Sequence, residues 1–505
     1  MSTSPFADVA TLVAALEQRA VSSIELVEQA IARIEALDGQ INAVVVRDFD
    51  GARKAAHAAD ERRRRGERPP LLGIPMTVKE SYNITGLPTT WGFREFAESR
   101  ASEDAVAVTR LKEAGAVILG KTNVPVALAD WQSFNDIYGA TRNPWNLEYS
   151  PGGSSGGSAA ALAAGYVPLE IGSDIGGSVR VPAHFCGVFG HKSTYGLIPG
   201  RGQSLPGTTR ASDLSVCGPL ARSAADLDLA VSILAGPEGD MATGYRLALP
   251  GPRHEHLRDY RVLVVDEHPL VPTRDDVRSA VRRCAERLAG LGTTVAWSSV
   301  LVPDLADAGR VYIQLLGAET GTRRQSPERR QTMAEAAAKL PADDQSLHAL
   351  RLRTANLSHQ DWVALDERRM RIRAQWRALF AEFDVVLSPP LSIAAYPHDF
   401  SSAHDEKKLE IDGRTVTFID QLVWPGVATL GALPATVLPI DHTSDGLPIG
   451  MQVMGAQFED RTTIAFAGLI EREFGGFQAP PLAAGAANRA SVALGHCRRP
   501  RQFGQ

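Results

Sequence analysis

The amino-acid sequence predicts an α/β protein with a mixed β-sheet, because segments with helical and strand patterns alternate along most of its length. Short apolar runs typical of buried strands stand between longer segments whose apolar residues recur at helical spacing. Two strand patterns near the carboxyl end, residues 433–440 and 447–454, are joined by a polar turn that contains Asp445 and Gly446. Because 505 residues exceed what one simple core usually holds, we expect either two domains or one large α/β body.

A helix start signal and a valine run mark the first elements of the chain. Ser22 and Glu25 have the spacing of a capping box, which predicts a helix that continues through Leu37 and stops at Gly39. Residues 44–46 are three consecutive valines and predict a strand.

The carboxyl half repeats the alternation of helix and strand. Residues 261–265 predict a buried strand, residues 275–291 an amphipathic helix and residues 293–297 a second strand, which together form a βαβ-like unit. A long helix marked by apolar residues over 362–379 precedes a further strand at 384–387.

Two glycine-rich loops that carry serines lie close together in the sequence, at residues 150–158 and 172–180. The segment between them predicts an alanine-rich helix and then a short buried strand, so the chain runs out and returns. Both loops then lie at one end of the unit, with Ser154 and Ser178 within reach of each other. The alternative is a pair of tight turns or a flexible linker, although linkers rarely lead straight into an alanine-rich helix.

Glycine density lets backbone N–H groups converge on one point, as a developing oxyanion requires, and a serine beside them is a candidate nucleophile. The serine hydroxyl needs a base. His184 and His191 lie in an apolar stretch typical of buried histidines, which disfavours them in that role. Lys79 ends an apolar run, where it either reaches water or, if buried, loses its charge more easily and acts as a base near neutral pH.

Lys79, the segment GGSSGGS at 152–158 and the segment GSDIGGSVRVP at 172–182 resemble the amidase signature family of Ser-Ser-Lys hydrolases. The resemblance runs from about residue 10 to about residue 452 and is densest over 73–196. It implies that Ser178 is the acyl-enzyme nucleophile, that Ser154 follows a cis peptide bond and bridges the proton transfer, and that Lys79 is the base. It implies that Asp174 and Arg180 hold the loop. The implied oxyanion hole consists of four backbone N–H groups, those of Ile175, Gly176, Gly177 and Ser178.

The resemblance also implies the amidase signature fold, in which helices cover both faces of one large central mixed sheet of about eleven strands. We therefore expect a single domain over residues 1–480 and a carboxyl-terminal tail over 481–505. Five further residues lie in segments that the family places near the acyl pocket: Trp91, Trp131, Gln132, Gly153 and Trp424. For the three tryptophans, ordinary core packing is the alternative. The Arg-rich helical stretch from about 301 to 361 either covers the mouth of the active site or is a solvated cap.

The implied activity is hydrolysis of a linear, non-peptide carboxamide through an acyl-Ser178 intermediate, with release of ammonia or an amine and without a cofactor. The same relay serves carbamates, esters, hydrazides and aryl acylamides, so the substrate stays open. The alternative within the fold is an A-type subunit of a glutaminyl-tRNA amidotransferase, but the sequence after Tyr195 departs from the pattern expected of that subunit.

Three other motifs point to different chemistry on weaker grounds. Residues 115–122 match a phosphate-binding loop, but a helical segment precedes them and their middle positions are an apolar strand. Residues 153–157 match the G-x-S-x-G elbow with Ser155 as nucleophile, but a turn-like segment stands where a strand is needed. The sequence has no H-E-x-x-H or C-x-x-C motif, and residues 254–256 are typical of a solvated loop, so we expect no metal.

Composition limits the partners that we expect. A net charge of -5 without a basic stripe disfavours nucleic-acid binding. The four cysteines are widely separated, which favours free thiols in a reducing compartment and a cytoplasmic location. Without a signal-peptide pattern or a long apolar run, no membrane segment is predicted. The expected partner is a small-molecule amide. The only self-association that we consider is a homodimer.

Overall fold

The computed structural model describes residues 3–324, 326–401 and 407–484, and its strands form one eleven-stranded sheet and two separate strand pairs. The strands are β1 (Val44–Arg47), β2 (Pro75–Lys79), β3 (Val117–Thr122), β4 (Phe134–Asn135), β5 (Gly139–Ala140), β6 (Leu169–Asp174), β7 (Phe189–Lys192), β8 (Val216–Ala221), β9 (Arg261–Val264), β10 (Thr294–Ala296), β11 (Val385–Ser388), β12 (Lys408–Ile411), β13 (Arg414–Thr417), β14 (Ala435–His442) and β15 (Pro448–Met454). The helices are α1 (Val9–Glu17), α2 (Ser23–Ile41), α3 (Phe49–Arg64), α4 (Val106–Glu113), α5 (Gly156–Ala163), α6 (Arg180–Cys186), α7 (Ala224–Leu234), α8 (Gly239–Gly244), α9 (Asp275–Gly290), α10 (Leu305–Arg324), α11 (Pro327–Ala338), α12 (Leu347–Arg353), α13 (His359–Glu382), α14 (Val423–Leu430) and α15 (Asp460–Phe474).

The central sheet has the strand order β1-β3-β2-β6-β8-β7-β14-β15-β11-β9-β10 and mixes parallel with antiparallel pairs. Successive residues of a strand point to opposite faces, and both faces of β14 are covered. Val437 packs in a cluster with residues of α5 and α6, whereas Leu438 packs in a cluster with residues of α7, α9 and α15. The predicted central mixed sheet of about eleven strands with helices on both faces is therefore confirmed.

The capping box predicted at the start of α2 is present. The Glu25 N–H donates to Ser22 Oγ at 3.3 Å, and the Ser22 N–H donates to Glu25 Oε2 at 2.7 Å. The predicted end at Gly39 was wrong, because the helix continues to Ile41 and ends where Asn42 adopts the left-handed conformation. The buried Ile41 side chain and the Asn42 amide, which donates to the Tyr138 carbonyl at 2.7 Å, fix the later end.

The predicted βαβ-like unit and the carboxyl-terminal strands are also present. β9 and β10 pair in parallel with α9 between them in sequence, and α13 leads into β11. β14 and β15 pair as an antiparallel hairpin. Helices α10, α11 and α12 fill most of the stretch between residues 301 and 361.

The segment that matches a phosphate-binding loop is a strand. Its apolar middle lies in β3, and α4 precedes it, so the geometry of a phosphate loop is absent from this segment, as predicted. Lys121 Nζ, buried at the end of β3, donates to the Pro88 carbonyl and to Thr89 Oγ1. This lysine holds a neighbouring loop.

The helix and strand predicted between the two glycine-rich loops are α5 and β6. All eight residues of α5 are buried, as are all six of β6. β6 pairs in parallel with β2, with Val78 opposite Ile171. Because parallel strands end at the same edge of a sheet, the carboxyl ends of β2 and β6 bring Lys79 and Ser173 together.

No helix in the described part of the chain is both long enough and apolar enough to cross a membrane. Of the predicted tail over 481–505, residues 485–505 lie outside the described residues. The division into one domain and a tail therefore stays a prediction.

The buried carboxyl group of Glu170 makes the free energy of unfolding depend on pH. Its side chain lies in β6 with 1% exposure, its Oε2 accepts the Ile171 N–H at 3.1 Å, and burial raises its pKa from 4.5 to about 7. A raised pKa means that the folded state holds a proton that the unfolded state has released. The stabilising contribution is therefore complete below pH 4.5 and is lost as the pH rises through about 7.

We expect Glu170→Gln to abolish this loss, because a neutral amide has no charge to bury. The difference in melting temperature, variant minus wild type, should be more positive at pH 8.5 than at pH 5.5. Thermal unfolding at both pH values checks this. A difference that stays constant across the pH range would contradict it.

Candidate active site

Lys79 is buried at the carboxyl end of β2 and contacts hydroxyl groups from both glycine-rich loops. Its Nζ donates to Ser154 Oγ at 2.8 Å and to Ser173 Oγ at 3.0 Å, and the Ser173 carbonyl oxygen lies at 3.3 Å. The side chain of Lys79 is 0% exposed. The structure thus brings the predicted base and the predicted bridging serine into direct contact.

Ser154 follows a cis peptide bond between Gly153 and Ser154. Position 153 has room only for glycine, because a Cβ there would lie 2.2 Å from the Asp130 carbonyl oxygen. The loop then enters α5, whose start packs on the loop before β4: the Gly156 N–H donates to Ser133 Oγ at 3.1 Å. These contacts fix the backbone on both sides of Ser154.

Ser178 lies on the second loop, between β6 and α6, and is 6% exposed. The Ser155 N–H donates to the Ser178 carbonyl at 3.1 Å, which ties the two loops together. Ser154 and Ser178 border the same cavity. Among the hydrogen bonds of the described residues none joins the Ser154 and Ser178 hydroxyl groups directly. Of the two contacts that the predicted relay needs, the one between Lys79 and Ser154 is therefore present and the one between Ser154 and Ser178 is not.

The loop that carries Ser178 is held by a buried ion pair. Asp174 accepts from Arg180 Nε at 3.0 Å and from Arg180 Nη2 at 2.8 Å, and both side chains are fully buried. Burial alone would raise the pKa of Asp174, but the charge and hydrogen bonds of Arg180 outweigh it and lower this pKa to about 2. The remaining Arg180 donors reach the Pro425 carbonyl, Gln452 Oε1 and Thr429 Oγ1 at 2.8–3.0 Å.

Asp174 also binds backbone N–H groups of the loop. The Gly177 N–H donates to its Oδ1 at 2.9 Å and the Val179 N–H to its Oδ2 at 3.0 Å. The Gly177 N–H, one of the four expected oxyanion donors, therefore already has an acceptor. Gly177 has φ +89°, a conformation that a residue with a side chain rarely adopts.

A cavity of about 820 Å³ opens onto both serines. Of the five predicted pocket residues, Trp91 lines it, whereas Trp131, Gln132, Gly153 and Trp424 are absent from its wall.

The other predicted pocket residues pack nearby. Trp131 is buried, and its Nε1 donates to the Gly176 carbonyl at 3.1 Å. Gln132 exchanges two 2.8 Å hydrogen bonds with the backbone of Asp399. Trp424 lies in the core, with its Nε1 donating to Thr273 Oγ1 at 3.0 Å.

Much of the cavity wall comes from two stretches that sequence reasoning did not assign to the site, residues 195–217 and 236–247. The arginines on this wall include Arg201, which contacts Glu238 at 2.8 Å, and Arg210, which contacts Glu319. Their signal in the sequence is weak, because these stretches are rich in glycine and proline and have no periodic pattern.

Gln203 connects this wall to the lysine. Its Nε2 donates to Ser173 Oγ at 3.0 Å, and Ser173 Oγ also accepts from Lys79. The loop is seated by Gly202, where a Cβ would lie 2.5 Å from the Ala105 Cα. Sequence reasoning did not identify this glutamine.

The competing residues occupy structural positions. His184 Nδ1 accepts the Gly450 N–H at 2.6 Å, its Nε2 lies 3.0 Å from the Ile393 carbonyl, and burial lowers its pKa to about 4. Ser155 Oγ is buried without a hydrogen-bond partner, and residues 141–155, which lead up to α5, contain no strand. In the described residues, no group of three or more His, Cys, Asp or Glu side chains is arranged to hold a metal ion.

Comparisons with known proteins give one consistent result. A model of the Amidase family matches residues 25–464. The A-type subunit of a glutamyl-tRNA(Gln) amidotransferase from Anaeromyxobacter dehalogenans is 35% identical over 489 residues, which cover 93% of this chain and 96% of the relative. A putative amidase AmiB2 from Mycobacterium bovis is 34% identical over 484 residues, with coverage of 92% and 96%. The crystal structure of a bacterial aryl acylamidase of the amidase signature family has the same fold, with a TM-score of 0.79, 24% identity, and coverage of 95% of this chain and 99% of that chain.

The buried ion pair gives a stability prediction. Arg180→Lys keeps the positive charge but offers three donors instead of five, so it cannot satisfy Asp174 together with the Pro425, Gln452 and Thr429 acceptors. We expect the free energy of unfolding to fall by about 3 kcal/mol. The surface variant Arg278→Lys, at an exposed pair with Asp275, should lose no more than about 0.5 kcal/mol. Urea unfolding measures both, and equal losses in the two variants would contradict the prediction.

Proposed function

The chain belongs to the amidase signature family, and from that premise we propose that it is an amidase that hydrolyses a linear, non-peptide carboxamide through an acyl-enzyme on Ser178. The observation that carries the proposal is the 2.8 Å contact between Lys79 Nζ and Ser154 Oγ, made beside a cavity that Ser178 borders. The site thereby offers, in this order, a base, a bridging hydroxyl and a second hydroxyl that faces the substrate.

Acylation begins with the lysine amine. In the proposed step Lys79 acts as the neutral amine, the form that burial favours over the ammonium, and accepts the Ser154 proton. Ser154 accepts the proton of Ser178 at the same time, and Ser178 Oγ forms a bond to the carbonyl carbon of the amide. The bond between the two serine hydroxyls, open without substrate, closes in this step, since catalytic hydrogen bonds often tighten only in the complex.

The tetrahedral intermediate carries its negative charge on the former carbonyl oxygen, which backbone N–H groups of the 175–178 loop stabilise. The lysine proton returns through Ser154 to the leaving nitrogen, the C–N bond breaks, and ammonia or an amine departs. Water then attacks the acyl-Ser178 ester with the same relay as its base. The products are a carboxylic acid and the free serine.

The cavity supports substrates with a bulky group. Its volume of about 820 Å³ falls in the upper range of sites that hold drug-sized ligands and far exceeds what a small aliphatic amide fills. Apolar side chains such as Leu128, Leu205 and Leu247 contribute to its wall, and two of its three arginines, Arg201 and Arg210, are paired with carboxylates. We therefore favour an amide with a large, mainly apolar substituent, including aryl acylamides, over a highly charged substrate.

A second candidate function is that of an amidotransferase A-type subunit, favoured by the 35% identity to a relative of that name. The two candidates differ in whether a partner is needed. The chain purified alone should release para-nitroaniline from para-nitroacetanilide, because the relay and the cavity wall are formed by this chain. If every amide tested, glutamine included, is hydrolysed only after partner proteins are added, the amidotransferase role replaces our proposal.

The relay makes Lys79 and Ser178 essential in different ways. Lys79→Ala should lower amide turnover at least about a thousandfold, since the base is removed. A fluorophosphonate should label Ser178 in the wild type and leave Ser178→Ala unlabelled, as read by peptide mass spectrometry. The control is a melting curve, because the fold of both variants should be largely retained.

Two results would contradict this assignment. One is substantial amide hydrolysis at neutral pH by folded Lys79→Ala. The other is fluorophosphonate label on Ser155, which would support the G-x-S-x-G elbow instead.

A further inference from the structure

The backbone carbonyls of the loop that carries Ser178 all accept hydrogen bonds. From residue 175 to residue 178 each of the four has a donor within 3.1 Å. The donors are the Tyr312 hydroxyl to Ile175 at 2.8 Å, Trp131 Nε1 to Gly176 at 3.1 Å, the Val181 N–H to Gly177 at 2.7 Å and the Ser155 N–H to Ser178 at 3.1 Å. No carbonyl of this segment is free to turn towards the substrate.

Fixing a carbonyl also fixes the N–H of the next residue, because the peptide unit is planar and its two polar groups point in opposite directions. The bond to the Ile175 carbonyl therefore orients the Gly176 N–H, and the bond to the Gly177 carbonyl orients the Ser178 N–H. The Gly177 N–H is held by Asp174. Within the described residues, the N–H groups of Gly176 and Ser178 have no acceptor, so both are available to an oxyanion.

Tyr312 is the donor that comes from farthest away in the sequence. It lies on α10, in the helical stretch that sequence reasoning left open between a solvated cap and a cover of the active site. Its side chain is 0% exposed, and its ring packs so closely on Gly426 that a Cβ there would lie 2.4 Å from Tyr312 Cδ1. The same helix contributes Glu319 and Thr320 to the cavity wall.

We propose that Tyr312 is a positioning residue of the oxyanion hole: its hydroxyl holds the Ile175 carbonyl so that the Gly176 N–H faces the carbonyl oxygen of the substrate. The inference rests on the proposed amidase function. It assigns α10 a role in transition-state stabilisation, through the backbone and without contact with the substrate.

The test compares Tyr312→Phe with Tyr260→Phe in the full-length chain. Phenylalanine keeps the ring that packs on Gly426 and removes only the hydroxyl. Tyr260 is a matched control, because it is equally buried and its hydroxyl also donates to a backbone carbonyl, that of His254 at 3.1 Å, in the segment before β9. Hydrolysis of para-nitroacetanilide gives kcat and KM for each variant.

We expect Tyr312→Phe to lower kcat roughly tenfold to hundredfold, a partial loss of one oxyanion donor, with KM changed by less than about threefold. Inhibition separates the tetrahedral state from simple binding. Phenylboronic acid forms a tetrahedral adduct with Ser178, and its inhibition constant should rise by about the same factor as kcat falls. Benzyl alcohol occupies similar space without forming an adduct, and its inhibition constant should stay unchanged. Tyr260→Phe should match the wild type in all four quantities.

Two outcomes overturn the inference while leaving the amidase function intact. One is a kcat for Tyr312→Phe within about twofold of the wild type. The other is an equal weakening of phenylboronic acid and benzyl alcohol, which would indicate general loss of packing. The ratio of these two constants is read on folded protein only, so a lower melting temperature does not obscure it. A wild type without amide turnover or Ser178 labelling would remove the proposed function and this inference together.

Discussion

The pair of Asp174 and Arg180 is the interaction on which the rest of the site depends. Both charges are fully buried, and between them they bind the loop before Ser178, the start of α6, helix α14 and strand β15. A buried ion pair of this kind contributes little net stability against an apolar replacement, but breaking it is costly, because one charge is then left without compensation. Its value here is geometric, since its hydrogen bonds hold the glycine-rich loop in the observed conformation.

Burial of a lysine does not by itself identify a base in this fold. Burial lowers the pKa of Lys121 to about 8 and that of Lys192 to about 7, so both lose charge more readily than a surface lysine. Lys192 donates to backbone carbonyls of Ser193 and Leu433, inside the core. Lys79 differs in its surroundings, because the two hydroxyls that it contacts, those of Ser154 and Ser173, belong to residues on the cavity wall. Access to the substrate, rather than desolvation, separates the proposed base from the structural lysines.

The sequence predicted the features that depend on local patterns, but it did not predict those that depend on tertiary contacts. The capping box at Ser22, the α5 and β6 unit and the sheet follow from periodicity, caps and the resemblance. The cavity wall could not be predicted, because residues 195–217 owe their position to contacts such as that of Gly202 with Ala105. Trp131 was expected at the pocket, but its indole N–H reaches a loop carbonyl instead. A tryptophan in a sequence does not reveal which side of a loop it will face.

In the proposed mechanism, the separation between the relay and the cavity wall would let one set of reacting groups serve different amides. Lys79, Ser154 and Ser178 lie on β2 and on the loops that flank α5 and β6, whose positions are set by the sheet register and by Asp174. The wall from 195 to 217 contacts this unit through Gln203 and, at its end, through β8, where Val216 and Cys217 pair with Asp174 and Ser173 of β6. Substitutions in the wall away from these contacts can therefore change the shape of the cavity without moving the proposed proton path. A change that reaches Ser173 through Gln203 or β8, or the Ile175 carbonyl through α10, would alter reactivity and selectivity together.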